Sequence, residues 1–321
     1  MPGDQLPPRA PARPPSPAAE FALYQLDGLG SAIGPDSSQP FDVILYSKYK
    51  YGSAAAADVF ARALGTAFLA RNHALVTQHQ LLVAASPYRH VPTAAHALAV
   101  RFTAMLTTER ARHRLPPAYL VRIDRAVVPP GDYGTLPADA RARLMAGNAL
   151  SFDRLRPGPD GAHLIVVDDV KVTGAHQRCL LLASDVLPLG SRMFVHVAAV
   201  QEAGAGLDPT LEDRLNHAFV KSLGELADVA TAADFSWNVR VCKFLLSPAS
   251  RPGLPSFLAG MPDHFVRELH RNSLLDGYAG MAAYRPSHTI VRRELSRRGG
   301  PSVDRPTMVD VAELSPQGPR T

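Results

Sequence analysis

The sequence predicts an α/β fold, with a mostly parallel sheet flanked by helices and a helical C-terminal hood. Three observations predict it. Short apolar runs alternate with helical patterns between residues 41 and 200, the order expected of strands joined by helical crossovers. One of these runs, residues 163–167 (HLIVV), is mostly apolar and leads directly into a helical pattern. Beyond Gln201 helical periodicity takes over, marking an appendage packed on the sheet.

Residues 1–38 read as a Pro-rich, disordered tail. Seven of the first twenty residues are proline, and such a composition cannot assemble a packed core. Residues 39–205 read as the α/β core, 206–298 as the hood, and 299–321 as a second disordered tail rich in Pro and Gly. In the core, 41–46 (FDVILY) reads as a strand, and Ser53 as the N-cap of a helix reaching about residue 70. Residues 81–85 read as a buried strand, 93–113 as a long helix, 119–123 as a strand, 175–187 as a helix and 193–200 as a strand. The stretch 127–161 has no strand pattern and only a short helix at 139–146. A connection this long is usually functional or mobile, and it holds Arg141 and Arg143 beside Asp132, Asp139 and Asp153. In the hood, 208–226, 257–275 and 290–297 read as helical and 238–246 as one more strand.

Composition narrows the function. Two cysteines, Cys179 and Cys242, support neither a disulfide framework nor a zinc motif. No apolar run approaches the length of a membrane span, and the N-terminus lacks the apolar segment of a signal peptide. A cytoplasmic setting is expected. The net charge of +5 favours anionic ligands. No nucleic-acid partner is expected, because the basic residues are scattered and only 48–51 interleave them with aromatics.

Residues 163–177 (HLIVVDDVKVTGAHQ) carry the chemistry. A buried strand ends in two acids, Asp168 and Asp169; Thr173 and Gly174 follow, and a helix begins. Parallel sheets bind ligands at the carboxyl ends of their strands. A helix start offers N–H groups and a positive dipole end to a phosphate. Gly174 permits close backbone approach and Thr173 adds a hydroxyl donor. The acids suit hydroxyl groups or a magnesium ion with few protein ligands. A phosphate cradle beside a hydroxyl or metal clamp describes a sugar phosphate.

This stretch resembles the phosphoribosyl-pyrophosphate (PRPP) motif of type I phosphoribosyltransferases. The resemblance implies that Asp168 and Asp169 clamp the ribose hydroxyls as catalytic residues. It implies that Lys171, Val172, Thr173, Gly174, Ala175 and His176 form the 5-phosphate loop. Val172 and His176 depart from the family pattern, which usually has hydroxyl residues there. The family also needs a pyrophosphate site, for which Tyr88 and Arg89 after the 81–85 strand, and Lys48 and Lys50 before the helix at Ser53, are the candidates. Arginine pairs bidentately with phosphate, and cations before a helix N-terminus favour an anion. The implied cofactor is Mg2+ carried on the diphosphate, with Asp168 and Asp169 as the nearest protein groups. The 127–161 stretch corresponds to the closing loop of such enzymes, and Phe235, Trp237 and Phe244 are candidate hood aromatics.

The motif admits other readings. A solvated turn with a Thr cap is the ordinary alternative. A phosphoacceptor receiver domain needs a later strand ending in Asp, where the sequence is helix-like. A D-x-D phosphatase needs Asp at the position of Lys171. Two functions remain: a phosphoribosyltransferase acting on PRPP and a small-molecule acceptor, or a non-catalytic sensor of PRPP or a nucleotide with the same fold. A homodimer is the candidate assembly.

Overall fold

The computed structural model describes residues 18–27, 32–33, 40–125, 150–151, 161–184, 187–201 and 210–299. Most of the 127–161 stretch, with its expected helix and with Arg141, Arg143, Asp132, Asp139 and Asp153, lies outside them, as do residues 1–17 and 300–321 of the two expected tails.

The chain starts with β1 (Ala19–Leu26) and β2 (Ala32–Ile33). Two helices follow, α1 (Val43–Lys50) and α2 (Ala54–Gln78), then β3 (Leu81–Ala85) and α3 (Ala94–Arg112). Next come β4 (Tyr119–Val121), β5 (Asp124–Arg125), β6 (Leu150–Ser151) and β7 (His163–Lys171). Helix α4 (Ala175–Ser184) and β8 (Ser191–Val200) complete the α/β part. The C-terminal lobe is helical: α5 (Leu211–Asn216), α6 (Leu223–Ala230), α7 (Val239–Leu246), α8 (Leu254–Gly260), α9 (Asp263–Leu275) and α10 (Arg285–Arg297).

The main sheet has the order β2-β1-β8-β7-β3-β4, and only β2 runs antiparallel to its neighbour. Its central strands are buried on both faces, as parallel sheets require. One face packs Val83, Ile165, Val167, Val195 and Val197 against Phe60, Leu64, Phe68, Leu98 and Phe102 of α2 and α3. The other packs Leu82, Leu164, Val166 and Phe194 against Leu180 of α4. The C-terminal lobe has its own core around Leu226, Val241, Leu245, Leu254, Phe265 and Leu269, which also takes in Tyr51 and Val91 from the α/β part.

Four expectations need correction. The 41–46 run forms the start of a helix, because Asp42 caps it by accepting the Leu45 N–H at 2.8 Å and its turns bury Tyr46 and Tyr49. The 238–246 run is also a helix: Asn238 caps the N–H groups of Arg240 and Val241, and Val241, Cys242, Leu245 and Leu246 form one buried face. Residues 19–26, placed by the sequence within the tail, are a sheet strand whose Phe21, Tyr24 and Leu26 are buried beside β8. The 208–226 and 257–275 helices are each divided, the second at Met261-Pro262, where Pro lacks the N–H a continuous helix needs.

Candidate active site

Along one face of the sheet, Ala84, Val166 and Phe194 lie side by side on β3, β7 and β8. Because side chains alternate along a strand, the next layer on that face toward the carboxyl ends holds Ser86, Asp168 and His196. There the apolar face turns polar. Asp168 and His196 are register partners. The Ser86 hydroxyl donates to Asp168 Oδ1 at 2.5 Å, and His176 Nδ1 lies 3.0 Å from Asp168 Oδ2. Asp169 takes the Lys50 ammonium on Oδ2 and the Val170 N–H on Oδ1 at 2.7 Å. Lys50 reaches it from the end of α1, where a cation also suits the helix dipole.

These environments set the charges. Burial pushes the Asp168 carboxyl up, but the His176 hydrogen bond and charge, the charge of His196 and the Ser86 bond outweigh it and hold Asp168 below the ordinary carboxylate value. His196 is itself buried, which lowers its pKa against the upward pull of Asp168. Neither of its ring nitrogens has a hydrogen-bond partner among the described residues, nor has His176 Nε2. Buried polar groups without partners are costly in a closed protein, so these atoms are poised for a ligand or water. The hydroxyls of Tyr46 and Tyr49 are pushed well up, first by burial and then by the charge of Asp169.

The turn after β7 completes the wall. Gly174 has φ +67°, a left-handed conformation that glycine adopts without cost. A Cβ there would meet Arg178 Nη1 and Lys171 Cε at 3.3 Å. Arg178 N–H donates to the Gly174 carbonyl at 3.0 Å, starting α4. Residues Lys171 through His176 all line one cavity of about 880 Å3 with Asp168, Asp169, Lys50, Ser86 and His196. Lys171 also reaches across to Glu20 of β1 at 2.6 Å. The facing wall comes from the C-terminal lobe and carries the cations Lys221, Arg240 and Lys243 with His217 and Phe244, and the acids Glu212 and Asp213.

The structure thus gathers Asp168, Asp169, Lys50 and the 171–176 turn. It leaves out Lys48, Tyr88 and Arg89, none of which lines this cavity. Lys48 sits over the Phe219 ring at 4.3 Å. Tyr88 packs against His96 and Arg122 and bridges to Asp124. Arg89 is exposed and points toward Gly277 of the lobe. The cause is Asp276, which accepts the N–H groups of His90 and Val91 at 3.0 and 3.2 Å and draws the loop onto the lobe. Ser86 and Pro87 alone of that loop reach the cavity wall. Among the candidate aromatics Phe244 lines the cavity, whereas Phe235 and Trp237 stack with Phe265 in the lobe core. Sequence pattern alone does not single out His196. Its signal is a lone polar residue inside the apolar run of β8, and it gains meaning only from its register with Asp168.

For a hard cation such as magnesium the donor set is right in kind, since the acid pair supplies oxygen. It is small in number, because both carboxylates already serve Ser86, His176 and Lys50. Such a site fits a magnesium ion that takes most of its ligands from phosphate and water.

A mostly parallel sheet with an acidic pair and a glycine turn at its carboxyl edge defines a phosphoribosyltransferase-type α/β protein. The chain matches the PRTase ComF-like family over residues 19–291 and belongs to that family. The match begins with β1 and ends within α10, so it spans both the sheet and the C-terminal lobe. No curated protein matches the chain. Among the described residues no helix is long and apolar enough to cross a membrane.

Proposed function

We propose that this protein transfers the 5-phosphoribosyl group of PRPP to an acceptor and releases pyrophosphate. One observation carries the reading: the acidic pair and the Gly174 turn line a single cavity at the carboxyl end of β7, between its parallel neighbours β3 and β8. In this reading the Thr173–Ala175 amides receive the 5-phosphate, and Asp168 and Asp169 accept hydrogen bonds from the ribose hydroxyls. The ribose C1–diphosphate bond breaks, a bond from the acceptor to C1 forms, and the acceptor's proton leaves to solvent or a nearby base. Catalysis rests on positioning and on stabilising the charge of the leaving diphosphate. Lys221, Arg240 and Lys243 supply positive charge on the opposite wall. Asp168 and Asp169 would be the nearest protein groups to a magnesium ion bound by the diphosphate, and that ion would supply charge neutralisation.

A second reading, a PRPP or nucleotide sensor without turnover, is favoured by the prior engagement of both acids and by Val172 in the phosphate loop. Calorimetric titration with PRPP and Mg2+, followed by pyrophosphate assays over candidate acceptors, separates the two. Transfer predicts binding and pyrophosphate release, both abolished in the double variant Asp168→Asn, Asp169→Asn with its fold intact. PRPP binding without release for any acceptor favours the sensor. Binding unchanged in the double variant overturns both readings.

A further inference from the structure

A second cluster lies far from the cavity. Helices α2 and α3 flank β3 in the chain and run against it, so both end at the amino-terminal edge of the sheet. His73 follows Asn72, where the helical backbone of α2 is interrupted. Glu109 and His113 stand four residues apart at the end of α3, on one helix face. His73 Nε2 is 3.4 Å and His113 Nε2 is 3.3 Å from the same oxygen, Glu109 Oε1. The two rings meet edge to face with centroids 5.2 Å apart. All three ligand atoms lie within 4.8 Å of one another.

We propose that His73, Glu109 and His113 form a binding site for a divalent transition metal of the zinc type. Two imidazole nitrogens and one carboxylate oxygen are the donor set zinc takes when a water holds the fourth position. Imidazole donors argue against magnesium or calcium, which take oxygen. The C-terminal ends of two helices converge here, and their dipoles favour a cation. The site is open to solvent, with the His73 and His113 side chains 53% and 43% exposed. Two other cations border it. Arg112 holds Glu109 Oε2 at 2.7 Å, leaving Oε1 to the metal, and its exposed side chain is able to swing into solvent. Arg110 is turned inward onto the carbonyls of Val76, His79 and Pro116. A bound ion would tie the end of α2 to the end of α3.

The test is titration of the full chain with Zn2+ by calorimetry and with Co2+ by visible absorption. One Zn2+ equivalent and an intense tetrahedral-type Co2+ spectrum are expected. Each of His73→Ala, His113→Ala and the isosteric Glu109→Gln should weaken binding by at least about tenfold, while Arg112→Ala should bind as tightly or more tightly. The thermal midpoint of the wild type should rise with Zn2+ and that of the double histidine variant should not, because only a ligand bound to the folded state stabilises it. Circular dichroism checks that these surface variants fold. Zinc binding that persists in the double variant would place the metal on other histidines of the twelve in the chain and overturn the proposal. So would the absence of zinc heat and of a tetrahedral cobalt spectrum.

Discussion

The loops after β7 and after β3 look alike from their local sequence. Each follows a buried parallel strand, contains a cation and leads into a helix. In the structure they do opposite things. The 171–176 turn lines the cavity throughout, and its neighbour Asp168 is held by the side chains of Ser86 and His176. The 86–91 loop turns away after Pro87, because its backbone N–H groups are held by the buried Asp276. The His90 and Val91 amides, already bonded to Asp276, are not on offer to a phosphate. The contrast lies in where each aspartate sits, one at the rim of a ligand cavity and the other inside a lobe contact.

The sharpest way to break this comparison is to remove Asp276. Asp276→Ala leaves the buried Val91 N–H and the His90 N–H without their acceptor and also removes the group that Tyr278 approaches at 3.4 Å. At about 1–3 kcal/mol for each of the two donors left unsatisfied, the variant should lose about 2–6 kcal/mol in urea unfolding. Ser86→Ala removes one hydrogen bond to Asp168 Oδ1, which keeps the Asp169 N–H at 2.9 Å, and should cost only about 0.5–1.5 kcal/mol. Equal losses in the two variants would mean that Asp276 is not the strap described.

How much of this was legible in the sequence follows from the range of the forces involved. Strands β3, β7 and β8 are runs of core residues, and the Asp168–His176 motif is contiguous, so both could be read locally. The 41–46 and 238–246 runs are too short for their period to separate helix from strand, and the caps Asp42 and Asn238 decide the matter. Strand β1 borders a Pro-rich segment and is stabilised by pairing with β8, far along the chain. The same distance hid the site's other half. Lys50 was legible as a cation, but Asp169 lies 119 positions away. Arg89 was legible as an anion-site candidate, but Asp276, which turns its loop aside, is 186 positions from His90.

Acid titration sharpens the comparison through its sign. Asp168 is held below the ordinary value of 3.8. Its contribution to stability is complete above the unfolded pKa and is lost as pH falls through the folded one. Asp276 is raised, because burial outweighs the bonds from Val91 and His90. Its folded form takes up a proton before its unfolded form does, so its ionisation opposes folding at neutral pH. That penalty is relieved as pH falls through the folded pKa toward 3.8. Unfolding free energies measured between about pH 3 and 7 should therefore shift in opposite directions. Asp168→Asn should make the acid loss of stability shallower, and Asp276→Asn should make it steeper. Changes of the same sign would contradict the assigned environments.

The smallest expected effect tests the comparison most directly. Arg89 is the residue that sequence pattern alone would place on the pyrophosphate, and an arginine that pairs with phosphate contributes strongly to binding. In the structure its side chain is exposed beside Gly277, outside the cavity wall. Arg89→Ala should therefore leave PRPP affinity within about twofold of wild type and stability within about 0.5 kcal/mol, the range of ordinary surface substitutions. Arg240→Ala, on the lobe wall of the cavity, should weaken PRPP binding measurably in the same titration. A large loss of affinity for Arg89→Ala would show that the 86–91 loop swings into the cavity when ligand binds. The two loops would then be alike in the complex, and the strap at Asp276 would be a latch that ligand binding opens.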